Sequence, residues 1–354
     1  MNLIFDKIID SYKRKLPFAV YRKPNSDVTS GFFQQNNTLF CIKNYTESGF
    51  IFAPFDDKND AILIPENQSE FFEEKLPFFT DFNINTDFLD NEISKENYID
   101  LIEKAIENIQ KKRFEKVVVS RKEFIKIEDF NILETYQKLL QKYLNAFVYV
   151  WYHPKVGLWL GATPETLLTI SDSSFETMSL AGTQVYKGTE NVTWNNKEIQ
   201  EQQLVTEFIK NQLSLITSTL KINKTETIKA GNLLHLKTKI YGILKTQNSS
   251  LKALIKALHP TPAVCGLPIE ITKGFILKNE NYQRTFYTGF LGELNVQSTK
   301  FKVQSSSLFV NLRCMKIENN SVQIYVGGGI TKDSNTEKEW EETVAKSKVM
   351  KSVL

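Results

Sequence analysis

Cysteine is scarce in this chain of 354 residues, and the three present, Cys41, Cys265 and Cys314, form no CxxC pair. An odd count without paired spacing argues against a disulfide scaffold or a cysteine zinc site, and it suits a reducing compartment. Charge of one sign is equally lacking, since 44 Lys and Arg face 41 Asp and Glu for a net +3. Such a balance leaves no footprint for nucleic acid, and Lys111-Lys112-Arg113, the densest short basic cluster, reads as a solvated helix end. No apolar run approaches the roughly 18 to 20 residues that span a bilayer. The N-terminus meets Asp6 and Lys7 before any apolar signal core develops. These absences lead us to expect a soluble, cytoplasmic protein with no membrane and no nucleic-acid partner. Nothing demands a protein partner either, so a monomer is expected, with a homodimer as the alternative. The glycine pattern matches neither a P-loop nor a Rossmann fingerprint, which disfavours nucleotide binding.

What is present is an ordinary globular composition, 41% hydrophobic and 24% charged, in a chain long enough for a substantial core. Short apolar runs at Leu39–Ile42, Gly49–Ala53 and Ala61–Ile64 predict strands in a phenylalanine-rich N-terminal part. Helical periodicity follows from Ser94 to about Gln110, then a β-branched strand, Lys116–Arg121. A helix over Asn131–Leu144 leads to a strand pair, Ala146–Trp151 and Gly157–Gly161. Further strands are predicted at Thr166–Ser171 and Glu176–Leu180, and long helices over Asn195–Thr217 and Ser249–Leu258. The remainder predicts strands over Phe286–Leu294, Ser307–Ile317 and Ser321–Gly327, then a closing helix after Asn335. No repeat, linker or low-complexity tract divides the chain, so residues 1–354 read as one α+β domain of layered sheets with helices outside.

Chemistry concentrates near the C-terminus. Gly327-Gly328-Gly329 precedes a helix on which Glu339, Glu342 and Lys346 are three and four residues apart, and so share one face. The long helix carries a matching pair, Glu198 and Glu201. One such pair alone is most simply a solvated face; two, one of them after a glycine run, point to a metal. Oxygen ligands without His or Cys favour Mg²⁺, with positions left for an anion. Arg313 and Lys346 can supply the remaining positive charge for a carboxylate. Arg313 stands in an apolar strand, as an edge residue or a ligand anchor. Lys116 opens its strand either as a charge snorkelling to water or as a base in a partly dry cleft. Glu165, stiffened by Pro164, is a general acid or merely the carboxylate that opens a short element. Prolines 260, 262 and 268 make the 258–268 segment extended and rigid, a suitable place for ligand contacts. His153 and His235 read as structural.

These segments together resemble the chorismate-utilising enzymes, the family of isochorismate, salicylate, anthranilate and aminodeoxychorismate synthases. The resemblance covers about residues 95–354 and rests on ordered blocks: Lys116–Arg121, Gly161–Glu165, Leu180–Thr183, Lys197-Glu198 with Glu201, Leu258–Pro262, Tyr287–Gly292, Arg313-Cys314, and Gly327–Ile330 with Glu339–Lys346. It implies one domain with two large antiparallel sheets and a cleft for Mg²⁺ and chorismate, residues 95–354 being the catalytic core and 1–94 a less typical, structural part. By motif position, Glu201 and Glu342 look like direct metal ligands, and Glu198 and Glu339 like ligands through water. Gly182, Thr183, His259, Ala263, Tyr287, Arg313, Gly327, Gly328, Gly329 and Lys346 fall in the substrate-binding blocks. Lys116 and Glu165 fall at the catalytic positions.

Members that add water carry a lysine where Lys116 stands, whereas anthranilate synthases commonly have Gln there. Ala181 occupies a position where aminodeoxychorismate synthases commonly have lysine, and Ala263 one where salicylate synthases tend to have threonine. The N-terminal third lacks the Leu-Leu-Glu-Ser-type signature of tryptophan feedback sites. Together these favour an isomerase, isochorismate synthase, over a salicylate synthase that goes on to eliminate pyruvate, or an inactive chorismate-binding paralogue. Its product would feed menaquinone or siderophore formation. Two positions depart from the family's habit: Gln202 where His is common, and Gly328 where Ala is.

Overall fold

A computed structural model describes residues 3–76, 92–245, 250–297, 303–318 and 320–354. The alternating apolar stretches build two large antiparallel sheets. One has nine strands, running from Gly266–Leu267 through Lys116–Lys126, Ser321–Ile330, Cys314–Glu318, Gly157–Thr163 and Phe147–His153 to Phe18–Arg22, Val28–Gln34 and Ser69–Lys75. The other has ten. It runs from Thr217–Ile222 through Leu233–Leu244, Ser174–Val185, Thr166–Ser171, Gln304–Val310 and Phe290–Gln297 to Gly49–Ala53, Ile62–Pro65 and Phe40–Cys41, and Glu226–Ala230 pairs with Leu233–Leu244.

Aromatic rings fill the space between the sheets: Phe52 stacks on Phe286 with ring centres 4.2 Å apart, and Phe147 on Phe309 at 4.1 Å. Such pairs add about 0.5–1.5 kcal/mol each beyond the area they bury. Helices Leu3–Lys13 and Ile132–Lys142 cover the outer face of the nine-stranded sheet. Asn196–Ser214 and Leu251–Leu258 cover the other sheet. A third group, Glu92–Gln110, Ile269–Asn279 and the closing helix Thr336–Lys351, packs around the Lys116–Lys126 strand. Asparagines start three of these helices: the Asn131 and Asn335 side chains accept from Glu134 N–H and Lys338 N–H, and Asn195 forms a capping box with Glu198. No helix among the described residues is long and apolar enough to cross a membrane.

Several sequence-based boundaries change. The strand predicted over Ser307–Ile317 is two strands, Gln304–Val310 and Cys314–Glu318, in different sheets, with Arg313 between them at φ +47°. An apolar run cannot reveal where a chain changes sheets. The strand predicted from Phe286 starts at Phe290, because Thr285 and Thr288 adopt positive φ in a turn. The long helix ends at Ser214, and Thr217 already opens a strand. The predicted start at Ser249 lies outside the described residues. The N-terminal strands are woven into both sheets.

Two of the chain's passages between the sheets lie side by side, and these crossings position the site. Gly157–Thr163 belongs to one sheet and Thr166–Ser171 to the other, so Pro164 and Glu165 make the first crossing; Asn311–Arg313 makes the second. Backbone hydrogen bonds lock the two together: Ala162 N–H donates to Arg313 O at 3.0 Å, and Val310 N–H to Glu165 O at 3.0 Å.

Candidate active site

A cavity of about 70 Å³ lies at these crossings, between the strand bearing Gly327–Gly329 and the strand bearing Leu180–Thr183. Glu165, Gly182, Thr183, Glu201, Ala263, Tyr287, Arg313, Gly327, Gly328, Gly329, Glu342 and Lys346 line it, twelve of the sixteen residues singled out from sequence. Lys116 lies just behind the lining, wholly buried, with Nζ 2.8 Å from Glu201 Oε1. Glu339 stands at the edge, facing Gly328. Glu198 is engaged in its helix cap, accepting from Asn195 N–H at 3.2 Å. His259 is not brought in. It caps the C-terminus of Leu251–Leu258 and, half-buried, sets its ring edge-on to Phe290 at 5.0 Å.

The glycine run matters for room. A Cβ on Gly329 would overlap Glu201 Oε1 and reach 3.0 Å from Lys116 Cε, and one on Gly327 would stand 3.1 Å from the Tyr287 hydroxyl. Only a backbone without side chains lets the acid, the lysine and the tyrosine converge.

Three of the acids are matched by lysines. Glu201 pairs with Lys116, Glu342 with Lys346 at 2.6 Å, and Glu339 with Lys197, which reaches across from the long helix. Lys346 Nζ also donates to Gly327 O at 2.9 Å. Burial and the Glu342 charge raise the Glu339 pKa against the pull of Lys197. Glu342 is lowered despite burial, because Lys346, Lys197 and Arg313 surround it. Glu339 Oε2 is buried with no hydrogen-bond partner. Among the described residues, no three acidic, His or Cys side chains already converge as a ligand set. The oxygens facing Gly328 and Gly329 are nonetheless carboxylate oxygens of Glu339, Glu342 and Glu201 beside the Tyr98 hydroxyl, one of them an orphan beside a like charge, and such an all-oxygen set fits a hard divalent cation.

Glu165 is buried, which pushes its pKa up to about 8 although the Lys116 and Arg313 charges act in the opposite direction. At neutral pH it is a carboxylic acid with a proton to give.

His235 was read from sequence as structural, yet it lines the cavity. Burial and the Arg313 charge push its pKa down to about 3, so the ring is neutral. Arg313 Nη2 lies 3.3 Å from Nε2 and can only donate, so Nε2 accepts and Nδ1 carries the hydrogen, which goes to Gly182 O at 2.9 Å. The imidazole therefore fixes Arg313 relative to Gly182-Thr183. Its signal in the sequence, one His in the alternating strand Leu233–Leu244, is indistinguishable from a core histidine.

The arrangement offers an acid, an amine, a guanidinium and a cluster of carboxylates around a glycine floor. As a class, the fold is that of the chorismate-utilising synthases: the structure of MenF, the menaquinone-specific isochorismate synthase from Escherichia coli, superposes with a TM-score of 0.79 over 96% of this chain and 88% of that one, at 22% identity. The chain belongs to the family described as Chorismate binding enzyme, which residues 57–354 match. Isochorismate synthase MenF of Escherichia coli (strain K12) is 28% identical over 269 residues, 73% of this chain and 60% of that protein. Isochorismate synthase DhbC of Bacillus subtilis (strain 168) is 30% identical over 200 residues, 54% of this chain and 49% of the relative. The chain thus aligns with between half and three-fifths of these relatives' length.

Proposed function

We propose that the protein is an isochorismate synthase, converting chorismate to isochorismate by attack of water at C2 and loss of the C4 hydroxyl. The observation that carries this reading is the pairing of a buried lysine with a buried, protonated carboxyl at one cavity: Lys116 behind the floor and Glu165 at the sheet crossing. Lys116, neutral in the complex with chorismate, takes the proton from the attacking water and becomes the ammonium, and Glu165 gives its own proton to the departing hydroxyl as the ring double bonds shift. Each transfer contributes on the order of 10² to 10⁴ in rate. Arg313, held by His235, and Lys346 bind the carboxylates, aided by Gly182-Thr183 and the Gly327–Gly329 backbone.

Glu201 and Glu342 would hold Mg²⁺ directly, and Glu198 and Glu339 through water. When bound, the ion supplies the positive charge that fixes the ring carboxylate and offsets the Glu339–Glu342 repulsion. The deciding experiment incubates purified protein with chorismate and Mg²⁺, with and without ammonia. Isochorismate should accumulate in both. Pyruvate with salicylate would establish a lyase instead, an ammonia-dependent product would establish an aminating synthase, and binding without turnover an inactive paralogue. A genomic neighbour acting on isochorismate would decide between menaquinone and siderophore formation.

A further inference from the structure

A larger chamber lies beside the catalytic cavity. This outer cleft measures about 680 Å³, and Pro164 and Arg313 belong to the linings of both spaces. The strand Leu233–Leu244 runs along it. Side chains two apart on a strand share a face, so Lys239, Lys237 and His235 form one row. Its inner end, His235, accepts from Arg313; Lys237 and Lys239 line the outer cleft. The paired strand repeats the course: Met178, opposite Lys239, lines the outer cleft, and Leu180, opposite Lys237, lines the inner cavity. One floor is therefore continuous from outside to the site.

Cations dominate that cleft. Lys142, Lys229, Lys237, Lys239 and Arg313 line it against Glu176 and Glu190. Lys239 pairs with Glu176 at 3.0 Å and Lys237 with Glu226 at 2.7 Å, but Glu226 is 54% exposed. Pairs open to water are weak, and they leave the cleft's excess positive charge in place. A cleft of one sign with apolar walls focuses its field on an approaching counter-ion.

We propose that the outer cleft is the access vestibule for the dianionic substrate, with Lys237 and Lys239 drawing its carboxylates toward Arg313. The inference rests on chorismate being that substrate. The two lysines are positioning residues: they speed association and take no part in the bond-making steps. Stopped-flow association of chorismate, followed by tryptophan fluorescence, tests this together with steady-state turnover. The pair Lys237→Gln and Lys239→Gln should slow association and lower kcat/KM about tenfold at low ionic strength, with kcat within about twofold of wild type. The deficit should fade as salt screens the field, and Arg at both positions should restore the rate. Wild-type association rates in the Gln pair at low salt, or a loss confined to kcat, overturn the vestibule while leaving the substrate assignment intact. A wild-type protein that neither binds nor converts chorismate overturns the substrate assignment, and the vestibule with it.

Discussion

Glu165→Gln separates the chemical role of this carboxyl from its energetic cost. Burial raises the Glu165 pKa from the ordinary 4.5 to about 8. The folded protein therefore holds the proton where the unfolded chain has released it. This contribution to stability is fully present below the unfolded value, declines as pH rises, and is lost once pH passes the folded value. At about 1.4 kcal/mol per tenfold change, the loss reaches on the order of 5 kcal/mol above pH 8. An unfolding entropy of roughly 0.7 kcal/mol/K for a chain of this length converts that to about 7 °C in Tm. Gln is isosteric with the protonated acid and does not ionise, so the variant should melt about 7 °C above wild type near pH 8.5 and close to it near pH 5. Turnover should fall by about 10² to 10⁴, and the loss of kcat/KM that wild type shows above pH 8 should vanish. Differential scanning calorimetry at the two pH values, with initial rates, measures both. An equal Tm difference at both values would refute the buried-acid assignment.

Lys116→Gln should lower isochorismate formation by about 10² to 10⁴ at saturating substrate, and unchanged turnover would remove Lys116 from the role of base. Gly329→Ala places a methyl group against Glu201 Oε1, so the midpoint of a Mg²⁺ melting titration should rise about tenfold or more, as losses of metal-site support do. An unchanged midpoint would exclude Glu201 from the metal site. Saturating Mg²⁺ should stabilise the wild type by about 2.7 kcal/mol at a hundred times its Kd, and Glu342→Gln should abolish that gain; melting curves with Mg²⁺ or chelator report it. His235→Phe keeps the ring and removes the acceptor for Arg313, so KM for chorismate should rise about tenfold or more, as expected when a hydrogen bond to a buried charge is lost, while the Mg²⁺ midpoint stays put. A KM equal to wild type would show that Arg313 needs no such support.

Much of the scaffold was legible because it is local. Helical spacing put Glu339, Glu342 and Lys346 on one face, and Glu198 and Glu201 three apart on the long helix. The α+β class and the position of the glycine run followed from periodicities of two and 3.6 residues. Motif order then supplied the family, independently of any coordinates.

Tertiary structure decided what those residues do together. Arg313 meets His235 across 78 positions, and Lys116 meets Glu201, because the chain changes sheets at Glu165 and again at Arg313. The break at Pro164 is legible as the end of a strand but not as a change of sheet, and the crossing at Arg313 lies inside an apolar run that reads as one strand. The same long-range packing set the His259 ring against Phe290, drew His235 into the cavity and matched three of the acids to lysines. Sequence alone determined the kinds of groups available and their local faces, because backbone propensity and side-chain periodicity act over a few residues. Which of them share a dry cavity, and so which carboxyl keeps its proton, depended on burial and charge that only the packed sheets create.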